Sequence, residues 1–329
     1  MPLENTFVFT PAYAVEKRRG KTKSETNNHC QINYMAEFKS GFVSIIGKPN
    51  AGKSTLMNAL MGEQLSIVTP KAQTTRHRIM GMINTPEMQI VYSDTPGMLE
   101  PKYALHEAMM SFVKVSLEDA DLVLLVIAWD ETLEDYFLDR INKIKAPVVL
   151  ILNKIDLRRK EDPSVEEKLT FWKSKLPVIK HTVAVSAFNK KNIEQVLPIV
   201  QQSLPVHPPY FSQDEFTDRS ERFFAAEIIR EKIFYNYDQE IPYSAEVVIE
   251  SFKEAADIIR IRAEIYVERD SQKGILIGKG GSSLKKVGMQ ARADMETFFR
   301  KKIHLETHVK VADNWRKERF KLKQFGYLE

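Results

Sequence analysis

A glycine-rich segment near residue 50 constrains the fold of this chain more than any other feature. Residues 47–54 read GKPNAGKS, which fits the pattern G-x-x-x-x-G-K-[ST]. The apolar run Phe42–Ile46 before it predicts a buried strand, and the residues from Ser54 to Met61 predict a helix. Glycines let backbone N–H groups surround phosphate oxygens, and the N-terminus of the following helix adds a positive dipole end. The segment therefore predicts a phosphate-binding loop.

Two side chains of this loop have distinct expected roles. Lys53 is expected to reach the β- and γ-phosphates of a nucleotide, and the Ser54 hydroxyl is expected to ligate Mg²⁺. The residues predicted to bind nucleotide here are Gly47, Lys48, Pro49, Asn50, Ala51, Gly52, Lys53, Ser54 and Thr55.

A second motif, Asp94-Thr95-Pro96-Gly97, follows the predicted strand Met88–Ser93. An aspartate at this place can hold a Mg²⁺-bound water, and a glycine N–H can donate to a γ-phosphate. Because D-x-P-G is also an ordinary turn sequence, this motif predicts a nucleotide site only in combination with the other motifs of the chain. The residues predicted to contact nucleotide here are Asp94, Thr95, Pro96, Gly97 and Met98.

A third motif predicts which base is bound. Asn153-Lys154-Ile155-Asp156 ends the predicted strand Val148–Leu152. The Asp156 carboxylate can accept hydrogen bonds from N1–H and N2–H₂ of guanine, whereas adenine has no donor at N1. Sites of this kind reject the wrong partner by about 10⁴ or more, which favours GTP over ATP. Ser186 and Ala187 end the next strand, where a backbone N–H can meet guanine O6.

A polar stretch between the first helix and the second strand predicts a switch. It reads Gln73-Thr74-Thr75-Arg76-His77. A threonine there can close on Mg²⁺ when γ-phosphate is present and release it afterwards. We expect Thr75 rather than Thr74 to do so. The predicted metal ligands are therefore Ser54, Thr75 and, through a water, Asp94.

Together these motifs resemble the translation-factor-like branch of the small GTPases, from about Gly41 to Leu204. The resemblance implies an α/β domain with a doubly wound, mostly parallel sheet, and hydrolysis of GTP to GDP and phosphate. Ras-like enzymes have a glutamine after the D-x-x-G turn. Met98 stands there, so slow intrinsic turnover is expected. Asn50 matches members in which K⁺ assists hydrolysis, although its side chain could instead brace the loop. The catalytic candidates are Lys53, Thr75 and Asn50.

The composition is that of a globular protein. The 329 residues are 43% hydrophobic and 28% charged, with a net charge of +4 and a single cysteine, Cys30. One cysteine cannot form an internal disulfide, which fits a reducing compartment. Residues 1–37 lack apolar periodicity and contain a basic run, Lys17–Lys23. No apolar core follows that run, so a signal peptide is disfavoured, and acidic residues weaken the alternative of a transit peptide. We expect either a disordered extension or a mis-annotated one, and in the second case translation begins at Met35.

The second half predicts a different domain. The proline-rich break Leu204–Tyr210 predicts a stiff linker, residues 205–222, after the first domain, 38–204. In 223–329 we expect a helix, two strands joined by residues 254–257, a glycine loop opening a helix, a last strand and a basic helix. The basic helix is predicted from Arg316, Lys317, Arg319, Lys321 and Lys323.

The loop Gly278-Lys279-Gly280-Gly281 matches the G-x-x-G loop of type II KH domains, whose backbone approaches about four nucleotides of single-stranded RNA. Lys285 and Lys286 follow within the next helix, although lysines there can also be an ordinary solvated face. The predicted RNA-binding residues are Ile277, Gly278, Lys279, Gly280, Gly281, Lys285 and Lys286.

A GTPase domain followed by a KH domain resembles the Era family of GTPases over about Phe38 to the C-terminus. Segments of the linker region, 217–223 and 227–232, and the ending 325–328 also resemble that family. The resemblance implies GTP, GDP and Mg²⁺ as ligands, binding of the 3′ end of 16S ribosomal RNA and a role in 30S subunit assembly. It also implies that some members associate peripherally with the inner membrane. We expect a cytoplasmic, monomeric protein. The alternative is a GTPase switch acting on a protein or membrane partner, with the KH-like domain as an interaction module.

Overall fold

A computed structural model describes residues 37–328. The predicted extension 1–37 therefore lies, except for its last residue, outside the described residues. The described chain contains two sheets, one of six strands and one of three.

The first sheet is mostly parallel and has the strand order β2-β3-β1-β4-β5-β6. Only β2 runs antiparallel to its neighbour, β3. The central strand β4 is buried along its whole length because helices cover both faces of a parallel sheet. The strands are β1 Lys39–Ile46, β2 Ile79–Asn84, β3 Met88–Asp94, β4 Leu122–Ala128, β5 Val148–Asn153 and β6 Ile179–Ala184. The helices are α1 Lys53–Met61, α2 Ala104–Asp119, α3 Asp135–Asn142, α4 Val165–Lys175 and α5 Val196–Ser203.

The predicted linker 205–222 lies along the first sheet. The N–H of Ser40 donates to Pro205 O at 3.2 Å, and the N–H of Met82 donates to Phe216 O at 2.9 Å. The Thr217 hydroxyl donates to Met80 O at 2.7 Å. These contacts attach the segment to β1 and β2, so the connection between the two sheets is packed on the first one.

The second sheet has the order β7-β8-β9, in which β7 pairs antiparallel and β9 parallel with β8. Along β8 every second residue is buried, as expected for a sheet with one face on a core. The elements are α6 Glu221–Asn236, α7 Ile241–Ser244, β7 Glu246–Glu254, β8 Ile258–Val267, α8 Asp270–Ile277, α9 Ser282–Phe299, β9 Lys302–Val311 and α10 Arg319–Gln324.

Two details of the second half differ from the sequence prediction. The glycine loop lies between two helices, because α8 precedes it. The predicted basic helix is also shorter than expected: α10 begins at Arg319, while Arg316 and Lys317 lie in the preceding turn. Arg316 is not available as a free cation, since its guanidinium pairs with Glu268.

The C-terminal segment packs on the first domain. Trp315, Leu322 and Tyr327 are buried in one apolar cluster with residues of α2 that include Leu105 and Met109. Burial of side chains of this size contributes about 1.5–3 kcal/mol each. The segment therefore joins the second domain to the helix that follows the D-T-P-G motif.

Candidate functional site

The glycine-rich loop connects β1 to α1. Gly47 and Gly52 have φ angles of 152° and 94°, which residues with side chains rarely adopt. A Cβ atom at Gly47 would lie 2.3 Å from Val126 O, and one at Gly52 would lie 2.2 Å from Nδ2 of Asn153. Both positions therefore require glycine, and the loop passes in contact with the ends of β4 and β5.

Lys53, the first residue of α1, is buried, and its ammonium donates to Lys48 O at 2.9 Å. Burial lowers the pKa of Lys53 to about 8, and the charges of Asp94 and Glu131 partly oppose that shift. Glu131 accepts from the N–H of Ala128 at 2.9 Å, and its other oxygen is buried without a partner in the described residues. A phosphate beside Lys53 would stabilise the ammonium form, so the lysine is placed to hold one.

Three oxygen-bearing side chains meet beside Lys53. The Ser54 hydroxyl donates to Asp94 Oδ2 at 2.7 Å and lies 2.8 Å from the Thr75 hydroxyl. The second Asp94 oxygen is buried without a partner among the described residues, and burial raises the pKa of this carboxyl. Oxygen ligands suit Mg²⁺, which keeps several waters in its coordination shell. The set therefore fits Mg²⁺, with the unpartnered oxygen available to the ion or to one of its waters.

The two neighbouring threonines have different surroundings. The Thr74 hydroxyl lies 2.6 Å from that of Thr69 and donates to Lys71 O at 2.8 Å. Of the two, only Thr75 has its hydroxyl next to Ser54.

The N-K-I-D segment lies at the other end of the site. The Asn153 amide donates to Ala51 O at 2.9 Å and accepts from the N–H of Ala187 at 3.0 Å. Asn153 thus ties the phosphate loop to the segment after β6. Asp156 is exposed in a short 3-10 turn, Ile155–Leu157, so its carboxylate is accessible to a base.

These elements surround a cavity of about 490 Å³, a size typical of small-molecule sites. The predicted residues that line it are Pro49, Asn50, Gly52, Lys53, Ser54, Thr55, Gln73, Thr74, Thr75, Gly97, Asn153, Lys154 and Asp156. The predicted residues outside its lining are Gly47, Lys48, Ala51, Arg76, His77, Asp94, Thr95, Pro96, Met98, Ile155, Ser186 and Ala187.

Several residues that line the cavity were not predicted from the sequence. Leu157 and Phe188 line the cavity together with Asp156, and Phe188 is 83% exposed. In the sequence, the available signal was that the aromatic Phe188 directly follows Ser186-Ala187. Tyr235 also lines the cavity, although it belongs to α6, more than 150 positions after Thr75 in the chain. No local pattern could have indicated that contact.

Two residues with predicted catalytic significance differ in placement. The Met98 side chain is buried in an apolar cluster with Ile46 and Val113, and its N–H donates to Gly47 O at 2.9 Å. It therefore presents no polar group to the cavity. Asn50 lines the cavity, and its amide donates to Pro70 O at 3.2 Å.

The last two residues of the predicted switch face the second domain. Arg76 is buried and donates to Ala245 O at 2.8 Å and to the Glu246 carboxylate at 2.9 Å. The His77 ring stacks on that of Tyr327, with ring centres 4.4 Å apart. The switch segment is thus part of the contact between the two domains as well as of the cavity.

The second glycine loop is on the surface. Gly278, Gly280 and Gly281 have φ angles of 73°, 59° and 78°. A Cβ at Gly278 would lie 2.2 Å from the Ser283 hydroxyl. Lys279, Lys285 and Lys286 are exposed, and in residues 37–328 no ion pair engages them.

This fold and this cavity define the class of the protein as a P-loop GTPase joined to a C-terminal KH domain. Residues 42–154 match a family model described as "50S ribosome-binding GTPase". Residues 240–316 match a KH domain model.

The chain belongs to the Era family of GTPases, and as a member it is an enzyme that hydrolyses GTP. It is 45% identical over 295 residues to the GTPase Era of Geotalea daltonii, which covers 88% of this chain and 98% of that protein. It also matches the structure of a point variant of Aquifex aeolicus Era bound to GDP·AlF₄⁻ (36% identity, TM-score 0.84, 89% of this chain and 100% of that one). A structure of Era with MgGDPNP and nucleotides 1506–1542 of 16S ribosomal RNA matches with 38% identity, TM-score 0.83 and the same coverage.

Within residues 37–328, no helix combines the length and the apolar character needed to cross a membrane.

Proposed function

We propose that GTP or GDP, with Mg²⁺, occupies the cavity of the first domain. In this assignment Lys53 holds the β- and γ-phosphates. Ser54 and Thr75 hold the ion directly, and Asp94 holds it through a water. Asp156 accepts hydrogen bonds from guanine. Support comes from the hydrogen-bonded set around Ser54 and from relatives whose structures contain MgGDPNP or GDP·AlF₄⁻. When bound, Mg²⁺ would neutralise charge on the phosphate oxygens.

The KH domain is proposed to bind the 3′ end of 16S ribosomal RNA, and the GTPase to assist 30S subunit assembly. The observation that carries this proposal is the likeness, over 89% of the chain, to an Era structure containing nucleotides 1506–1542 of that RNA. The surface loop supports it, because glycines allow close approach of an RNA backbone. Exposed, unpaired lysines supply phosphate contacts. Ile275 and Met289 are 57% and 64% exposed in the helices flanking the loop, where they offer apolar contact to bases.

Binding of a 3′-end oligonucleotide, followed by fluorescence anisotropy with a GTP analogue, GDP or no nucleotide, tests this proposal. Alanine at all three exposed lysines of the loop and α9 should reduce the salt slope by about two units, since each single-strand phosphate contact contributes about 0.7. The matched control removes three exposed lysines of the first domain: Lys102, Lys143 and Lys145.

The result also separates the two classes of function. Equal losses in the two triple variants, or no sequence preference for the 3′ end, would favour the alternative of a GTPase with a protein or membrane partner. Crosslinking of RNA at Lys279 would argue against that alternative. Peripheral membrane association, cytoplasmic location and a monomeric state stay predictions. So do the domain limits 38–204, 205–222 and 223–329.

Potassium is proposed as an aid to hydrolysis near Asn50. The side chain lines the cavity but also donates to Pro70 O, so it can brace the loop instead. Hydrolysis rates in KCl and NaCl at equal ionic strength distinguish a role of Asn50 in potassium-assisted hydrolysis from a purely structural role. Asn50→Gly is a suitable variant, because the φ of 65° at this position suits glycine. We expect potassium to raise the rate in the native chain only; equal rates in both salts would remove the ion from the mechanism.

A further inference from the structure

One wall of the nucleotide cavity is formed by residues 67–71, here called the cover segment. It precedes the switch and forms no regular helix or strand. On the side of the phosphate loop it is held by Asn50, whose amide donates to Pro70 O at 3.2 Å. On the opposite side it is held by the second domain.

Lys71 of the cover segment binds the C-terminal end of α6. Its ammonium donates to Phe234 O at 2.8 Å and to Tyr237 O, and it pairs with Asp238 at 2.8 Å. The last carbonyls of a helix lack partners within the helix and carry partial negative charge. A cation at this position satisfies them, so Lys71 acts as a cap supplied by the other domain.

Two further hydrogen bonds fix the middle of the cover segment to the same helix. The Tyr235 hydroxyl donates to Val68 O at 2.8 Å. The Val68 N–H donates to the Glu231 carboxylate at 3.3 Å. Both polar groups of the Val68 backbone are therefore satisfied by side chains of α6 rather than by the first sheet.

These contacts have a consequence for bound nucleotide. Displacing the cover segment would break the cap at Lys71 and the bonds at Val68 together. We propose that Lys71 and Tyr235 are positioning residues that hold the cover segment over the nucleotide, so that docking of α6 slows nucleotide release. The inference rests on the proposed nucleotide site and not on RNA binding.

A competing explanation is that Lys71, which lines the cavity, contacts the nucleotide phosphates directly. The two explanations differ in kinetics. A lysine that attracts an anionic ligand raises the association rate, and its removal lowers that rate in a salt-dependent way. A lysine that holds a cover closed acts on the dissociation rate. Asp238 separates them further, because it is outside the cavity lining and 91% exposed, and it pairs with Lys71.

The experiment measures association and dissociation of a fluorescent GDP analogue (mant-GDP) by stopped flow on the full chain. We expect Lys71→Met to speed dissociation about tenfold, or roughly 1.4 kcal/mol, with the association rate unchanged or higher. Tyr235→Phe and Asp238→Asn should each speed dissociation of mant-GDP, but less than Lys71→Met does. Lys71→Arg should restore slow release, and Lys145→Met, at an exposed lysine away from the cavity, is the matched control.

Unchanged dissociation in both Lys71→Met and Tyr235→Phe would overturn the inference. A lower association rate in Lys71→Met, with Tyr235→Phe and Asp238→Asn like the native chain, would overturn it in favour of direct phosphate contact. A separate variant tests the site itself: if Lys53→Ala keeps native affinity for mant-GDP, the proposed nucleotide site is wrong. If Lys53→Ala loses affinity and release is unchanged in Lys71→Met, only the inference about the cover segment fails.

Discussion

The chain has two glycine loops that precede helices, and their surroundings differ. The loop 47–54 is enclosed by β4, β5 and the switch, and its lysine, Lys53, is buried with a lowered pKa. The loop 278–281 lies on the surface, and its lysine, Lys279, is exposed and has no ion pair among the described residues. Both loops use positive φ angles at glycine.

The difference shows that glycines and a lysine do not by themselves define a binding mode. A buried, hydrogen-bonded loop has fixed dipoles in a low-dielectric site, which favours one ligand in one geometry. An exposed loop with solvated lysines binds through long-range attraction to phosphates, which is strongly salt-dependent. We therefore expect nucleotide binding to depend on single residues and RNA binding to depend on summed charge.

The largest effect is expected from a substitution in the buried loop 47–54. Lys53→Ala should weaken nucleotide affinity, and it should lower turnover by about 10²–10³, the usual cost of removing one preorganised donor to developing charge. The reciprocal variant, Lys279→Ala, should leave nucleotide affinity unchanged while weakening RNA binding. Nucleotide titration and RNA titration of both variants measure this. A comparable loss of nucleotide affinity in Lys53→Ala and Lys279→Ala would contradict the separation of the nucleotide site from the RNA site.

Guanine recognition is the next test. Asp156→Asn should exchange the preference for GTP over xanthosine triphosphate, because an amide can donate to the xanthine carbonyl that replaces the guanine amino group. A change in relative affinity of about a hundredfold is expected, since hydrogen bonds to a charged group are worth roughly 1.5–3 kcal/mol each. Competition binding measures the ratio. Asp130→Asn, at an exposed aspartate of the β4–α3 turn, is the control, and an unchanged ratio in Asp156→Asn would exclude Asp156 from base recognition.

The pKa of Lys53 gives a smaller effect. Burial places the pKa of the free lysine at about 8, whereas a bound phosphate requires the ammonium form and raises it. When the pH is above this pKa, GTP binding is therefore accompanied by uptake of a proton at Lys53. GTP affinity should fall about tenfold between roughly pH 7 and pH 9. Isothermal titration in buffers of different ionisation heats detects the proton. Guanosine, which lacks phosphates, corrects for titration of the base, and an equal pH dependence for guanosine would exclude Lys53 as the origin.

Much of the cavity follows from sequence because of how parallel strands are arranged. The motifs after β1, β3, β5 and β6 are far apart in the chain, but the carboxyl ends of neighbouring parallel strands share one edge of the sheet. Ser54 and Asp94 are therefore within hydrogen-bonding distance. The predicted mostly parallel sheet and the predicted KH domain are confirmed. They could be predicted because apolar runs indicated the strands of the first domain and alternating apolar residues indicated strands of the second.

The contact between the domains did not follow from sequence. Arg76 lies in a polar stretch that predicts a switch for the nucleotide, yet it binds Glu246, 170 positions away. Trp315, Leu322 and Tyr327 are separated by basic residues, so their packing on α2 has no local signature. The helix α8 was not predicted, because it contains Gly274, a poor helix former, and because Ile275–Ile277 resembles a short apolar run. Such contacts depend on which surfaces meet after each domain has folded.

The smallest effect is expected from Lys321→Ala in the C-terminal helix α10, compared with Lys279→Ala in the surface loop. Lys321 donates to Asp313 O at 2.7 Å and pairs with Glu318 at 3.2 Å, whereas Lys279 has no ion pair in the described residues. A lysine that already neutralises a protein anion contributes less to the attraction of RNA. Lys321→Ala should therefore weaken RNA binding less than Lys279→Ala does and change the salt slope by less than about 0.7. Affinities for the 3′-end oligonucleotide over a range of KCl concentrations, with a scrambled sequence alongside, measure both slopes. A larger loss in Lys321→Ala than in Lys279→Ala would show that the RNA contacts α10 directly, and that the glycine loop is not the main site of phosphate contact.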